Sequence, residues 1–328
     1  MLYCQKYFVE LAEEKTQIQI FNPASKSKFK YFESVNIFSI NNTPAEIVPV
    51  PEHVGIQRGS LNNTPAIDDR IVKHRNALYG ILGAGLSRNH RANPAAALRA
   101  HSIFCHPVLF SGLPALILAK NDITRISSHH KKCLQYIQKL YDNTPDPVVF
   151  FLAGSLPGTA LLHLAMLRLF GMIIRLPGNP LHEIADFILT TVSKKQGSWF
   201  LQIRELCLTY RLPDPLLLLK NPPSKAIFKR MCKTNVLVYW EQKLRSHASG
   251  LRSLLYFKTP FMSLSTVHPL WSTCSSNPYE VNKAVVQARM LSGRYRTQSL
   301  RSHFDSENIP YCKLYALLMK SKTSLIYL

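Results

Sequence analysis

Residues 120–141, KNDITRISSHHKKCLQYIQKLY, place Ile123, Ile126, His130, Cys133, Leu134, Ile137, Leu140 and Tyr141 at spacings of three and four, with Arg125, Lys131, Lys132 and Lys139 off that line. This spacing gathers the apolar side chains into one stripe and predicts an amphipathic helix. Upstream, Ile67, Ile71, His74, Leu78, Ile81 and Leu82 repeat the pattern behind Thr64-Pro65, which opens a helix with Pro at its first position and Asp68 and Asp69 in its first turn. Asn93-Pro94 caps a second helix through Leu98 and Cys105, ended near Pro107 and Gly112. Three such helices in succession make a small bundle.

Downstream of Thr144-Pro145-Asp146-Pro147 the helical patterns continue, punctuated by prolines. The stretch 148–176 is nearly all apolar, but Gly154, Pro157 and Gly158 break it, and the remaining run 159–174 holds His163 and Arg168. Such a run rises only ~24 Å against a ~30 Å hydrocarbon core, so a buried helix is expected and no membrane span. Ser224 precedes a long helix to about His247, with Phe228, Cys232, Val236, Tyr239, Trp240 and Leu244 on its core face and Lys225, Lys229 and Lys233 in a row on its flank. Asn277-Pro278 starts another, with Glu280 placed to reach back as a cap. Its apolar line is Val281, Ala284, Val285, Ala288 and Leu291, and its polar side carries Lys283, Arg289, Arg294, Arg296 and Arg301.

The first sixty residues differ. A helix-like spacing of Tyr7, Phe8 and Leu11 gives way to alternating β-branched and aromatic residues at 17–21, 29–32 and 35–40, which read as strands, and to an extended His53-Val54-Gly55-Ile56. The expected fold is mainly α: a small α+β N-terminal piece (1–62), a helical bundle (63–143), a second, basic helical domain (144–304) and a poorly specified tail (305–328).

The chain carries 40 Lys and Arg against 19 Asp and Glu, a formal charge of +21. Residues 221–328 hold only Glu241, Glu280, Asp305 and Glu307 as acids and a net +12, so the positive field concentrates there and favours a phosphate-rich partner. A hydrophobic fraction of 46% excludes disorder throughout. Seven scattered cysteines without a C-x-x-C pair fit free thiols in a reducing compartment. With no secretory signal at the start, an intracellular location, nuclear or cytoplasmic, is expected.

Several chemistries can be weighed on residue types. His101, Cys105 and His106 fall on one helix and His129, His130 and Cys133 on the next; the pairs His101/Cys105 and His129/Cys133 could each offer two metal ligands on a face. Because Cys105, His130 and Cys133 lie on stripes the core claims, core placement is the expectation, with no metal and no cofactor. Gly154-Ser155-Leu156-Pro157-Gly158 lacks the G-x-S-x-G pattern of a nucleophile elbow, and no Walker-type phosphate loop occurs. What remains is cations with interleaved aromatics: Lys225, Lys229 and Lys233 beside Tyr239 and Trp240, and Arg294-Tyr295-Arg296 near Arg289 and Arg301. These types contact phosphates and stack on unpaired bases.

Phe21-Asn22-Pro23-Ala24-Ser25-Lys26-Ser27-Lys28, followed by strands and His53-Val54-Gly55-Ile56, resembles the last palm segments of a non-LTR (LINE-type) retrotransposon reverse transcriptase. The resemblance makes the first an Asn-containing loop with a Lys-Ser pair and the second a primer-grip strand. Arg75-Asn76-Ala77-Leu78-Tyr79, Gly83-Ala84-Gly85-Leu86 and Asn93-Pro94 are similar to that family's helical thumb. Residues 154–164, Val238-Tyr239-Trp240-Glu241, His268-Pro269-Leu270-Trp271-Ser272 and residues 287–297 resemble its post-polymerase region.

The resemblance implies an RNA-directed DNA polymerase family using Mg²⁺, with Lys26 matching the loop Lys proposed as general acid to pyrophosphate. The metal-binding Asp and the Tyr-x-Asp-Asp hairpin of that family have no counterpart here, nor do a Cys/Cys/His/Cys knuckle or a nuclease domain. The expectation is therefore a truncated, non-catalytic remnant that binds RNA or an RNA·DNA hybrid through phosphates, using Lys26, Lys28, Lys225, Lys229, Lys233, Arg289, Arg294, Tyr295, Arg296 and Arg301. The alternative is a helical protein-interaction module, or a domesticated host protein, with incidental charge.

Overall fold

The computed structural model describes residues 62–86, 93–191, 197–254 and most of 257–293, with short segments between 17 and 59. The protein is mainly helical. Strand pairing among the described residues is confined to three two-residue ladders: β1 (Gln17–Ile18) parallel to β4 (Glu46–Ile47), β2 (Ser39–Ile40) antiparallel to β3 (Thr43–Pro44), and β5 (Glu52–His53) antiparallel to β6 (Ile56–Gln57). The expected helix around Tyr7, the strand at 29–32 and the tail 305–328 lie outside the described residues.

Helix α1 (Thr64–Ile81) has Pro65 in its opening turn. Asp68 and Asp69 sit one turn further in than expected, where Asp68 pairs with Arg125 and Asp69 with Lys73. A π-helical turn, Leu82–Leu86, ends it. Asn93 caps α2 (Pro94–Ala100) by accepting from the Ala95 amide. The next turn, His101–Cys105, is π-helical and leads into α3 (His106–Phe110), which holds Pro107. Proline lacks an amide proton and its ring crowds the carbonyl four residues back, so the helix widens ahead of it instead of ending.

The opening stretch forms α4 (Lys120–Ile137), and Ile126, His130, Cys133, Leu134, Ile137 and Leu140 are all buried. Its end departs from the periodicity. Lys139, expected on the polar side, is buried and adopts a left-handed φ of 56°. Leu140 N–H then reaches the Gln135 carbonyl, closing the helix as a glycine would in that place.

The apolar stretch becomes α5 (Asp146–Ala153) and α6 (Gly158–Ile173), bent by 59° at the break. No single helix among the described residues is long and apolar enough to cross a membrane, and most of this pair is buried in the core. Gly154 at the bend has φ 59°, and a Cβ there would lie 2.2 Å from the Thr266 carbonyl carbon. Gly154→Ala is therefore expected to lower stability by about 2 kcal/mol or more, from left-handed strain plus backbone collision. Chemical denaturation checks it; an unchanged midpoint contradicts the packing.

Helices α7 (Pro180–Thr191), α8 (Trp199–Thr209) and α9 (Pro215–Lys220) lead to α10 (Lys225–Ser249), capped by Ser224, whose Oγ accepts from the Ile227 amide. Its Phe228 ring occupies the space over Gly171 of α6, where a Cβ would come within 2.4 Å of it. Two further helices follow, α11 (Pro269–Ser272) and α12 (Pro278–Leu291). Asn277 caps α12 by accepting from the Tyr279 amide. A continuous core runs from Ala66 of α1 to Ala288 of α12, so apolar packing crosses position 144 without a gap. Residues 146–173 thread between the bundle and the basic helix.

Candidate nucleic-acid surface and a buried imidazole cluster

Lys225, Lys229 and Lys233 are all exposed on the unbroken α10. Their spacing puts them about 6 Å apart along the axis. None of them pairs with a carboxylate among the described residues, whereas Lys73, Lys131 and Arg245 each do. Lys233 also borders a cleft of about 550 Å³, lined further by Arg99 and Ser102, by Ser155 at the α5–α6 bend and by Ser265. Among the described residues, no acidic side chain lines this cleft. The rest of the lining is largely apolar, with Leu98, Leu134, Leu156, Leu161, Leu237 and Leu264 among it, so an anionic ligand would meet Lys233 and Arg99 as the cations.

Other expected contacts are turned inward. Arg289 donates from Nε and Nη2 to the Lys139 carbonyl at 3.0 and 2.7 Å, and its guanidinium lies 4.5 Å from the Tyr141 ring centre. This ties α12 to the C-terminal end of α4, where the helix dipole favours a cation. Trp240 and Tyr239, read as base-stacking types as well as core, are half-buried. Trp240 Nε1 donates to the Tyr210 hydroxyl at 3.0 Å, and that hydroxyl sits 2.7 Å from His163 Nδ1. Burial pushes the Tyr210 hydroxyl up and holds His163 down at about 4. Lys243, not singled out by the sequence reading, stands 4.6 Å over the Trp240 ring. Lys26, Lys28, Arg294, Tyr295, Arg296 and Arg301 lie outside the described residues.

A second constellation sits beneath the cleft. His74 of α1, His101 of the π-helical turn, His106 of α3, and His129, His130 and Cys133 of α4 converge. His74 Nδ1 is 2.9 Å from His129 Nε2 and 3.8 Å from Cys133 Sγ, which is itself 3.8 Å from His129 Nε2. His74 Nε2 lies 3.2 Å from His101 Nε2, and His106 Nε2 3.1 Å from His130 Nε2. The pairs on α4 follow from helical spacing, but the approach of His106 to His101 does not. Five residues on an α-helix diverge by about 140°. In the π turn the His106 amide bonds the His101 carbonyl, stacking one residue over the other, and the rings sit 4.7 Å apart.

Burial keeps all five imidazoles neutral. It holds His74 near 3, helped by His129, and His101 near 2, helped by His106 and His74. His106 is held near 4, and His129 near 4 with help from Arg75 and Lys132. His130 falls well below its usual value, and burial raises the Cys133 thiol to about 12. Among the described residues, Nδ1 of His101 and Nδ1 of His130 are buried without a partner. The sequence reading placed these groups in the core. His74, His101, His130 and Cys133 are buried and His106 and His129 half-buried, but they meet each other there, and His74, which the spacing marks only as an apolar-face position, stands at the centre. No protein-family model, no curated protein and no solved structure matches this chain.

Proposed function

We propose that the chain binds the sugar–phosphate backbone of RNA or an RNA·DNA hybrid and catalyses no polymerisation, as the nucleic-acid-holding part of a non-LTR retrotransposon-type reverse transcriptase would. The observation that supports this most is the exposed row Lys225, Lys229 and Lys233, unpaired along α10 and running to an acid-free cleft. Lysines act as point charges on phosphates and carry no base information, so binding tracks charge and shape over sequence. The non-catalytic half rests on the lack of a Tyr-x-Asp-Asp run in the 328 residues. Asp68 and Asp69 both lie on α1, where they pair with Arg125 of α4 and with Lys73, and do not converge from separate strands to hold two metals.

The test is charge reversal in the full chain. Lys225→Glu, Lys229→Glu and Lys233→Glu together weaken RNA binding by about 100-fold or more, since three phosphate contacts become repulsions. Unchanged affinity would overturn the proposal. Primer extension by the chain with Mg²⁺ or Mn²⁺ would overturn its non-catalytic half. A second reading, a helical protein-interaction module, draws on Leu181, Ile184 and Phe187, exposed apolar side chains along α7. That reading predicts RNA affinity indifferent to the α10 reversal.

A further inference from the structure

Histidines placed in a core for packing alone satisfy their nitrogens with backbone carbonyls, carboxylates or hydroxyls. His163 does so through Tyr210. The five clustered rings do not: among the described residues their hydrogen-bond partners are one another and the Cys133 thiol. Buried lone pairs on several neutral imidazoles and a thiol, with no anion to balance protonation, are the donor set of a borderline-soft divalent cation.

The distances agree. Zinc bonds of ~2.0 Å to nitrogen and ~2.3 Å to sulfur in a tetrahedron set donor separations of about 3.3 Å for N···N and 3.5 Å for N···S. His74 Nδ1, His129 Nε2 and Cys133 Sγ lie at 2.9, 3.8 and 3.8 Å from one another. His101 Nε2 approaches the other nitrogen of the same ring, His74 Nε2, at 3.2 Å, so it braces the His74 ring from behind.

We propose that His74 Nδ1, His129 Nε2 and Cys133 Sγ bind one Zn²⁺ ion, with a water completing the tetrahedron, which staples α1 and α4 together. His101, His106 and His130 form the next layer, His101 against His74 Nε2 and the other two packing on the His101 ring and on each other. On binding, Zn²⁺ displaces the Cys133 thiol proton to solvent and the imidazoles bind as neutral ligands, leaving a centre of charge +1. The role is structural: the metal fixes the His74 ring, whose Nε2 braces the cleft wall that carries His101, Ser102 and His106. It does not depend on nucleic-acid binding.

The test is metal analysis and cobalt substitution of the full-length chain. The expected result is one zinc per chain. Co²⁺ in its place gives tetrahedral visible bands and a thiolate-to-cobalt charge-transfer band. Cys133→Ser abolishes the charge-transfer band and Cys105→Ser keeps it. His106→Gln keeps band and stoichiometry while weakening affinity about 10-fold, as an outer-layer change does. Should Cys133→Ser not fold, X-ray absorption of the wild-type zinc protein decides, with one sulfur expected at about 2.3 Å and nitrogens at about 2.0 Å. Absence of bound metal after incubation with zinc, a zinc shell without sulfur, or a charge-transfer band that survives Cys133→Ser would overturn the proposal.

Discussion

Lowering the pH from about 7.5 to about 5 is expected to remove a large part of the stability of the metal-free protein. His74, His101 and His130 are fully buried, with folded-state values near 3, near 2 and well below the usual range, all set first by burial. In the unfolded chain each titrates near 6.5. Below that pH the unfolded state therefore binds more protons than the folded one, so stability is whole above about 6.5 and erodes as the pH falls towards the folded values. At pH 5 His74 and His101 have each cost about 2 kcal/mol, and His130 acts in the same direction, against a typical total of about 5–15 kcal/mol. His106 and His129 act in the same direction. The charges acting on His129 are the cations Arg75 and Lys132, which deepen the effect. Melting temperatures across this range by circular dichroism check it; a flat profile down to pH 5 contradicts the buried neutral cluster.

Trp271→Ala is expected to destabilise the protein by about 3–5 kcal/mol. Trp271 is fully buried in a four-residue helix too short to persist without packing. Its indole donates to Gln138 Oε1 at 3.1 Å, across 133 residues of chain, and Gln138 Nε2 donates in turn to the Leu134 and Val149 carbonyls. Truncation thus opens a cavity and orphans a buried acceptor at the meeting point of α4, α5 and α11. Trp271→Phe, which keeps most of the packing, is expected to lose about 1–3 kcal/mol from the hydrogen bond alone. Urea denaturation separates the two; a loss under about 1 kcal/mol for alanine would contradict the packing described.

The helices were legible in the sequence wherever one face meets the core. The stripe of residues 120–141 is buried in register almost to its end. Asn93, Ser224 and Asn277 cap the helices they precede. Periodicity failed where local geometry departs from α. Lys139 was assigned by spacing to the polar side, but the left-handed residue at the end of α4 turns the chain and buries it. Arg289 carries a charge that suggests solvent, yet a carbonyl at a helix C-terminus and an aromatic ring draw it inward.

The imidazole cluster was half visible, as the pairs His101/Cys105 and His129/Cys133. Sequence spacing could not supply the rest, because a proline-induced π turn brings His106 over His101 and tertiary packing alone brings His74 to both. Lys225, Lys229 and Lys233 were legible for the opposite reason. An exposed row on one long helix depends on nothing but helical spacing.

The proposal that α10 engages a phosphate backbone meets its most direct test in the salt dependence of RNA binding by the full chain. Log K is expected to fall linearly with log salt, with a slope of at least about −2 on single-stranded RNA from these three lysines at roughly −0.7 each. Replacing Lys225, Lys229 and Lys233 with Ala should flatten the slope by about 2. A slope that the triple variant leaves unchanged would contradict it.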